Sequence, residues 1–194
     1  MATTAREQAK LDRKESLVRA ASALFAERGY ASVSLEEIGA AVGVSGPAVY
    51  RHFTGKQALL GAVLVGVSER LVLDGRRVCA DVADPGERMA ALVRFHVDFA
   101  LREPDVIRVQ DRDVAHLGDE DRQRVRALQR NYIELWVDAL EPLIEAAPPE
   151  LRLRVQACFG LINSTPHSTR AAERSSTRTG SILAAMALAA LRAS

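Results

Sequence analysis

The sequence predicts an all-α protein, and three observations predict it. Apolar residues recur at i, i+3, i+4 and i+7 in almost every periodic segment. No stretch of any length alternates apolar and polar residues in the manner of a strand. Breaks at Gly29, Gly43, Gly55, Pro85, Pro104 and Pro148 cut the chain into helix-length pieces. With 194 residues and 21.1 kDa, the chain suffices for one ordinary domain or a small module joined to a larger one. The expected division is a small helical unit at residues 1–56 and a larger one at residues 57–194.

Leu17, Ala20, Ala21 and Leu24, with Phe25 beside them, form the apolar stripe of a first helix that stops at Gly29. Ahead of that stripe, Arg6, Lys10, Arg13 and Lys14 read either as a flexible basic arm or as a frayed, solvated terminus. Ser34 lies three residues before Glu37, a capping-box signature for a short second helix over 35–42. Gly43 permits a tight turn. Ser45 is placed to cap a third helix with Pro47 in its first turn, carrying Ala48, Val49, Tyr50, Arg51, His52 and Phe53. Thr54 and Gly55 interrupt it, and a long fourth helix follows with Leu60, Val63, Leu64, Val67 and Leu71 facing inward.

Beyond Asp84-Pro85-Gly86, helices are predicted over about 87–102, 105–115 and 120–146. The last of these turns Val125, Leu128, Tyr132, Leu135 and Trp136 inward, and Pro142 should kink it or end it early. Another helix spans 150–163, and residues 164–181 read as a Ser/Thr/Arg-rich connection with frayed helix ends. The final helix, 181–192, is apolar nearly all round, so it should be buried on most sides in a core or against a second chain.

Composition narrows the function classes. Hydrophobic residues make up 48% and charged residues 26%, the balance of a globular protein. The net charge is +1, from 26 basic and 25 acidic residues, so only a local patch can attract nucleic acid. Residues 1–60 carry eight Lys/Arg against six Asp/Glu, a net +2. Cys79 and Cys158 stand far apart, which argues against a disulfide framework and fits a reducing, cytoplasmic location. No apolar signal core opens the sequence. The longest uncharged apolar runs, 58–67 and 182–191, fall short of the roughly 20 residues a membrane span needs, so no membrane partner is expected. His52, His96, His116 and His167 show no metal spacing, and no nucleophile elbow, P-loop or dinucleotide fingerprint occurs. No catalytic residue, metal or cofactor is expected.

The informative segment is S-L-E-E-I-G-A-A-V-G-V-S-G-P-A-V-Y-R-H-F, residues 34–53. Two short helices across a glycine turn make a helix-turn-helix, with Ile38, Ala41, Val42, Val44 and Val49 as its small core. Gly46, Pro47 and Ala48 leave the outward face of the third helix bare enough to sit deep in a major groove about 12 Å wide. Tyr50, Arg51, His52 and Lys56 then offer donors suited to the flanking phosphates.

Residues 25–60 resemble the N-terminal DNA-binding domain of the TetR (tetracycline-repressor-like) family, most specifically in G-V-S, Y-x-H-F and K-x-x-L-L. The resemblance implies phosphate contacts from Tyr50, His52 and Lys56, and backbone or base contacts from Ser34, Ser45, Gly46, Pro47, Ala48 and Arg51. Gly46 departs from richer members because it has no side chain to read a base. Readout would then rest on Pro47 or Ala48 against thymine methyls, on Arg51 or Glu36, or on DNA shape. The resemblance also implies a helical effector-binding and dimerisation domain, a palindromic double-stranded DNA operator and release by a hydrophobic or amphipathic small molecule. Lipid-derived molecules such as acyl-CoA thioesters enter by family analogy alone.

In that second domain Phe95 and Phe99 form an i, i+4 pair that either fills the core or lines a pocket, as do Tyr132 and Trp136. Gln110, His116 and Asn163 are polar groups in or near apolar stretches, placed to orient a ligand. Residues 108–113 read as a solvated or salt-bridged face, and Cys158 as a small buried hydrophobe. The homodimer seam is expected from Ile182, Leu183, Met186, Leu188 and Leu191, with Phe159 and Ile162 from the preceding helix. A carrier protein that keeps the helix-turn-helix only as structure is the alternative from another class.

Overall fold

The computed structural model describes residues 4–193, which among themselves form eleven α-helices, two short 3-10 turns and no strand. Residues 1–3 and 194, the outer ends of the two expected domains, lie outside the described residues.

Helix α1 spans Ala5–Arg28. Its start is set by a capping box: the Glu7 N–H donates to Thr4 Oγ1 at 3.2 Å and the Thr4 N–H donates to Glu7 Oε2 at 2.9 Å. Residues Arg6, Lys10, Arg13 and Lys14 are therefore neither a loose arm nor a frayed end, but part of a capped helix. Gly29, at φ +86°, ends α1 in a conformation that favours glycine. Helices α2 (Leu35–Ala41), α3 (Gly46–Val49) and α4 (Lys56–Cys79) follow. Leu17, Phe25, Ile38, Val49, Phe53, Leu59 and Leu60 bury the first core.

Helix α4 continues past that core and turns Val72 into a second one. There it packs on α5 (Pro85–Arg102) and α7 (Asp119–Leu140), and α8 (Pro148–Asn163) and α11 (Thr177–Leu191) close the core from the far side of those two. A boundary at residue 56 thus falls at the start of one continuous helix that serves both cores. Helix α6 (Pro104–Asp113) lies against α1 and passes into a 3-10 turn, Val114–His116.

Two expectations need correction, and two that were left open are narrowed. The third helix ends at Val49, and residues 50–53 continue as tight turns. The helix expected over 120–146 stops at Leu140, with Pro142 in the 3-10 turn Glu141–Leu143. The connection expected over 164–181 holds α9 (Thr165–Ser168), α10 (Ala171–Arg174) and the first turn of α11. Helix α11 is not buried on most sides within the subunit. It packs on α5 and α8 along one stripe and leaves Ile182 and Met186 each 49% exposed.

Candidate functional site

The angle between α2 and α3 follows from three small features. Ser34 caps α2: the Glu37 N–H donates to Ser34 Oγ at 3.2 Å, and the Ser34 hydroxyl donates to Glu37 Oε2 at 2.9 Å. Bonds from Ser34, with help from Arg28, pull the Glu37 carboxyl down to about 2. Gly43 takes φ +70°, and the Val44 N–H closes the turn on Gly39 O at 2.9 Å. A Cβ on Gly39 would stand 2.8 Å from both Val44 O and Val49 Cγ2, so glycine is what lets the two helices touch. Ile38 and Val49 are buried and Val42 and Val44 half-buried, but Ala41 points to solvent and is no part of this small core. Ser45 occupies the N-cap of α3, yet its hydroxyl makes no capping bond.

The tip that results is open. Ser45, Pro47, Tyr50 and Arg51 are exposed, Gly46, Ala48 and His52 half-buried, and Phe53 is buried in the core. A Cβ on Gly46 would meet Glu36 Cγ at 3.3 Å, which brings the Glu36 side chain over the start of α3. One surface hollow of about 510 Å³ gathers Ser34, Tyr50, Thr54 and Lys56 from three elements. The N-terminus of α4 has no side-chain cap, so its first N–H groups are free to meet an anion there. Lys56 Nζ donates to Tyr30 O at 2.8 Å and Ala31 O at 3.3 Å, and sits 4.5 Å from the Tyr30 ring centre. Two of its three N–H groups are thereby used, leaving one.

Sequence reasoning missed how α1 contributes. Burial, followed by the charges of Lys10, Arg13, Lys14 and Arg51, lowers the His52 imidazole below its usual value. Lys14 Nζ lies 5.8 Å from the Phe53 ring centre, at the turn after α3. Arg13 Nη1 also donates to Val42 O at 3.3 Å, pinning α1 to the α2–α3 turn. The T-x-x-E box at Thr4–Glu7 was the sequence signal that this basic segment is rigid. Thr54, in the hollow beside Tyr50 and Lys56, gave no comparable signal.

In the second core, α4 to α8 surround a cavity of about 240 Å³. Phe99, Gln110, Tyr132 and Asn163 line it, together with Ser68, His96, Gln129, Gln156 and Phe159. Three of the expected lining residues are elsewhere. Trp136 is fully buried behind the wall, edge-on to Phe159 at 4.8 Å. Phe95 packs half-buried at the core margin. His116 sits in the 3-10 turn, which carries its ring onto Tyr30 at 4.8 Å between centroids, far along the fold from the cavity.

His96 is the polar centre of that cavity. It is 3% exposed, its Nε2 lies 3.2 Å from Asn163 Oδ1 and its Nδ1 lies 3.3 Å from the Tyr132 hydroxyl. Burial pulls its pKa down to about 4, the Asn163 bond offsetting a part, so the ring is neutral at neutral pH.

Three residues expected at a dimer seam also need correction. Phe159 turns into the cavity, while Ile162 and Leu191 are wholly buried inside the subunit. The large apolar residues that α8 and α11 expose are instead Leu153, Ile182 and Met186, and Leu183 and Leu188 of α11 are half-buried.

Of the two readings of residues 108–113, the salt-bridged one matches the structure. Arg112 donates to the carbonyls of Phe25 and, at 3.4 Å, Ala26, and it pairs at 3.0 Å with Asp113, itself 2% exposed. Its guanidinium thereby ties the end of α6 to the C-terminal carbonyls of α1. Gln57 Nε2 adds a bond to His116 O at 3.0 Å.

An exposed helix-turn-helix tip flanked by cations, carried on a helical body with its own cavity, defines a DNA-binding regulator rather than an enzyme. Two family models agree: the N-terminal model of bacterial regulatory proteins of the tetR family matches residues 17–63, and a tetracyclin repressor-like C-terminal domain matches 82–167. The chain belongs to the TetR family of transcriptional regulators. It is 25% identical to the transcriptional repressor KstR2 of Rhodococcus jostii, over 80% of this chain and 77% of that one. It is 36% identical to the transcriptional activator FasR of Mycolicibacterium smegmatis, over 45% and 40%. A TetR-family regulator from Bordetella parapertussis shares the fold at a TM-score of 0.81, with 23% identity over 93% and 94%.

Proposed function

We propose that this regulator is a homodimeric repressor, resident in the cytoplasm, that leaves a near-palindromic operator when a small molecule fills the cavity. The observation that carries the DNA-binding part is the uncovered face of Ser45, Pro47, Tyr50 and Arg51 beside the α1 cations. Pro47 and Ala48 approach base edges, while Tyr50, Thr54, Lys56 and the uncapped end of α4 hold one phosphate rail. Ser34 chiefly shapes that rail, because its hydroxyl already serves the α2 cap. The mostly apolar lining supports a hydrophobic or amphipathic effector.

The exposure of Leu153, Ile182 and Met186 supports pairing of two subunits through α8 and α11. Such a two-fold pair would address half-sites about 34–36 Å apart, or a multiple. Coupling runs through α6. Val106, Ile107 and Gln110 line the cavity, and Arg112 on the same helix grips the end of α1. A ligand that shifts α6 therefore shifts α1 and the spacing of the two tips. A mobility shift with the DNA upstream of its own gene tests this reading. Binding that survives excess unrelated DNA is expected, and binding lost equally to any competitor contradicts it in favour of a carrier protein.

A further inference from the structure

The cavity also restricts what can enter it, an inference that rests on the reading of that cavity as the effector site. Among its lining residues the only ionisable groups are His96 and Tyr132. Burial holds both neutral, lowering the imidazole and raising the phenol. No Lys, Arg, Asp or Glu lines the space. The nearest cation along α6, Arg108, is turned away to Pro166 O at 2.6 Å and Asp105 at 3.2 Å. A carboxylate placed here would lose its water and gain no counter-charge, a large penalty.

The hydrogen bonds have a direction. Asn163 meets His96 through its oxygen, an acceptor only, so His96 Nε2 carries the hydrogen and Nδ1 accepts from the Tyr132 hydroxyl. His96 is then fully used. Along this chain of bonds what remains is the Asn163 amide nitrogen, whose two N–H groups find no acceptor among the described residues, while the Gln110, Gln129 and Gln156 amides line the same space outside that chain. Size sets a further limit. An apolar cavity of about 150 Å³ admits benzene, so 240 Å³ admits one ring with substituents or two fused rings.

We propose that the cavity takes an uncharged molecule of one or two rings, or an equally compact uncharged group, whose carbonyl oxygen accepts from Asn163 Nδ2 while Leu71, Phe99, Ile107, Leu128 and Phe159 hold its apolar body. Three probes of one outline test this by calorimetric titration at neutral pH without DNA. They are 4-methylacetophenone, 4-methylbenzoate and 4-isopropenyltoluene, which present a neutral oxygen, an anionic carboxylate and no oxygen. The ketone should bind at least about tenfold tighter than the carboxylate and about 3- to 10-fold tighter than the hydrocarbon, the worth of one neutral hydrogen bond. In Asn163→Leu the ketone should lose its advantage over the hydrocarbon.

Carboxylate binding as tight as the ketone, no measurable ketone binding, or a preference that survives Asn163→Leu would overturn the proposal. The three-probe ranking on the unaltered chain stands even if the variant misfolds. Because no DNA is present, a chain that binds no operator can still show this selectivity, and an operator-binding chain can fail to show it.

Discussion

His96 should make this protein acid-labile in a way a single substitution removes. The imidazole is 3% exposed and ringed by Phe99, Tyr132, Trp136 and Phe159 at centroid distances of 4.7–5.7 Å. Burial lowers its pKa from 6.5 to about 4. Between those values the unfolded chain binds a proton that the folded chain refuses. Its contribution is therefore fully present above pH 6.5 and is lost as pH falls toward 4. At about 1.4 kcal/mol per pH unit the whole effect is roughly 3 kcal/mol, of which about 2 kcal/mol falls between pH 7 and pH 5.

His96→Gln stays neutral at every pH and retains a donor and an acceptor for Asn163 and Tyr132. Urea unfolding of both chains at pH 7 and pH 5 isolates the imidazole. Carboxylates held low in the folded state, such as Glu37 and Glu134, act alike in both chains and cancel in the difference. The unaltered chain should lose about 2 kcal/mol more than His96→Gln over that interval. Equal losses would show that His96 is not desolvated as described.

Other perturbations read other parts of the fold. Gly39→Ala should cost about 1–3 kcal/mol, because its Cβ meets a carbonyl and a buried valine. Gly66→Ala, with nothing within 4 Å, should stabilise α4 by about 0.5–1 kcal/mol; in urea unfolding a stabilised Gly39→Ala would refute the first reading and a destabilised Gly66→Ala the second. Arg112→Leu leaves the buried Asp113 carboxylate unpaired, and since Arg112 is half-exposed the cost is about 1–2 kcal/mol; adding Asp113→Asn should recover part of the lost thermal midpoint. Leu153→Glu with Met186→Glu should give a fully helical monomer by sedimentation, and a persisting dimer would place the seam elsewhere.

The N-terminal half was the more legible because its signals are local. The Ser34 box, the Gly43 turn and the run Tyr50 to Phe53 lie within a few residues of the contacts they make. Even there, the same box at Thr4–Glu7 outweighed the charge run that read as a loose arm. The cavity was less legible because core and lining use the same side chains at the same spacing. Tyr132 and Trp136 stand one turn apart, yet one lines the space and the other lies behind it. His116 was misplaced because a 3-10 turn rotates it onto Tyr30, and periodicity says nothing about such a turn. In α11 the composition is apolar on every side, so only the positions of α5 and α8 separate buried Leu191 from exposed Met186.

The central claim is that two exposed α3 tips enter successive major grooves on one face of a duplex. Hydroxyl-radical footprinting of the bound upstream DNA tests it most directly. Two protected patches should lie about 10–10.5 base pairs apart, or a multiple, on the same helical face, and both should vanish with Pro47→Trp. A single patch, unbroken protection, or a pattern unchanged by that bulky substitution would contradict the account.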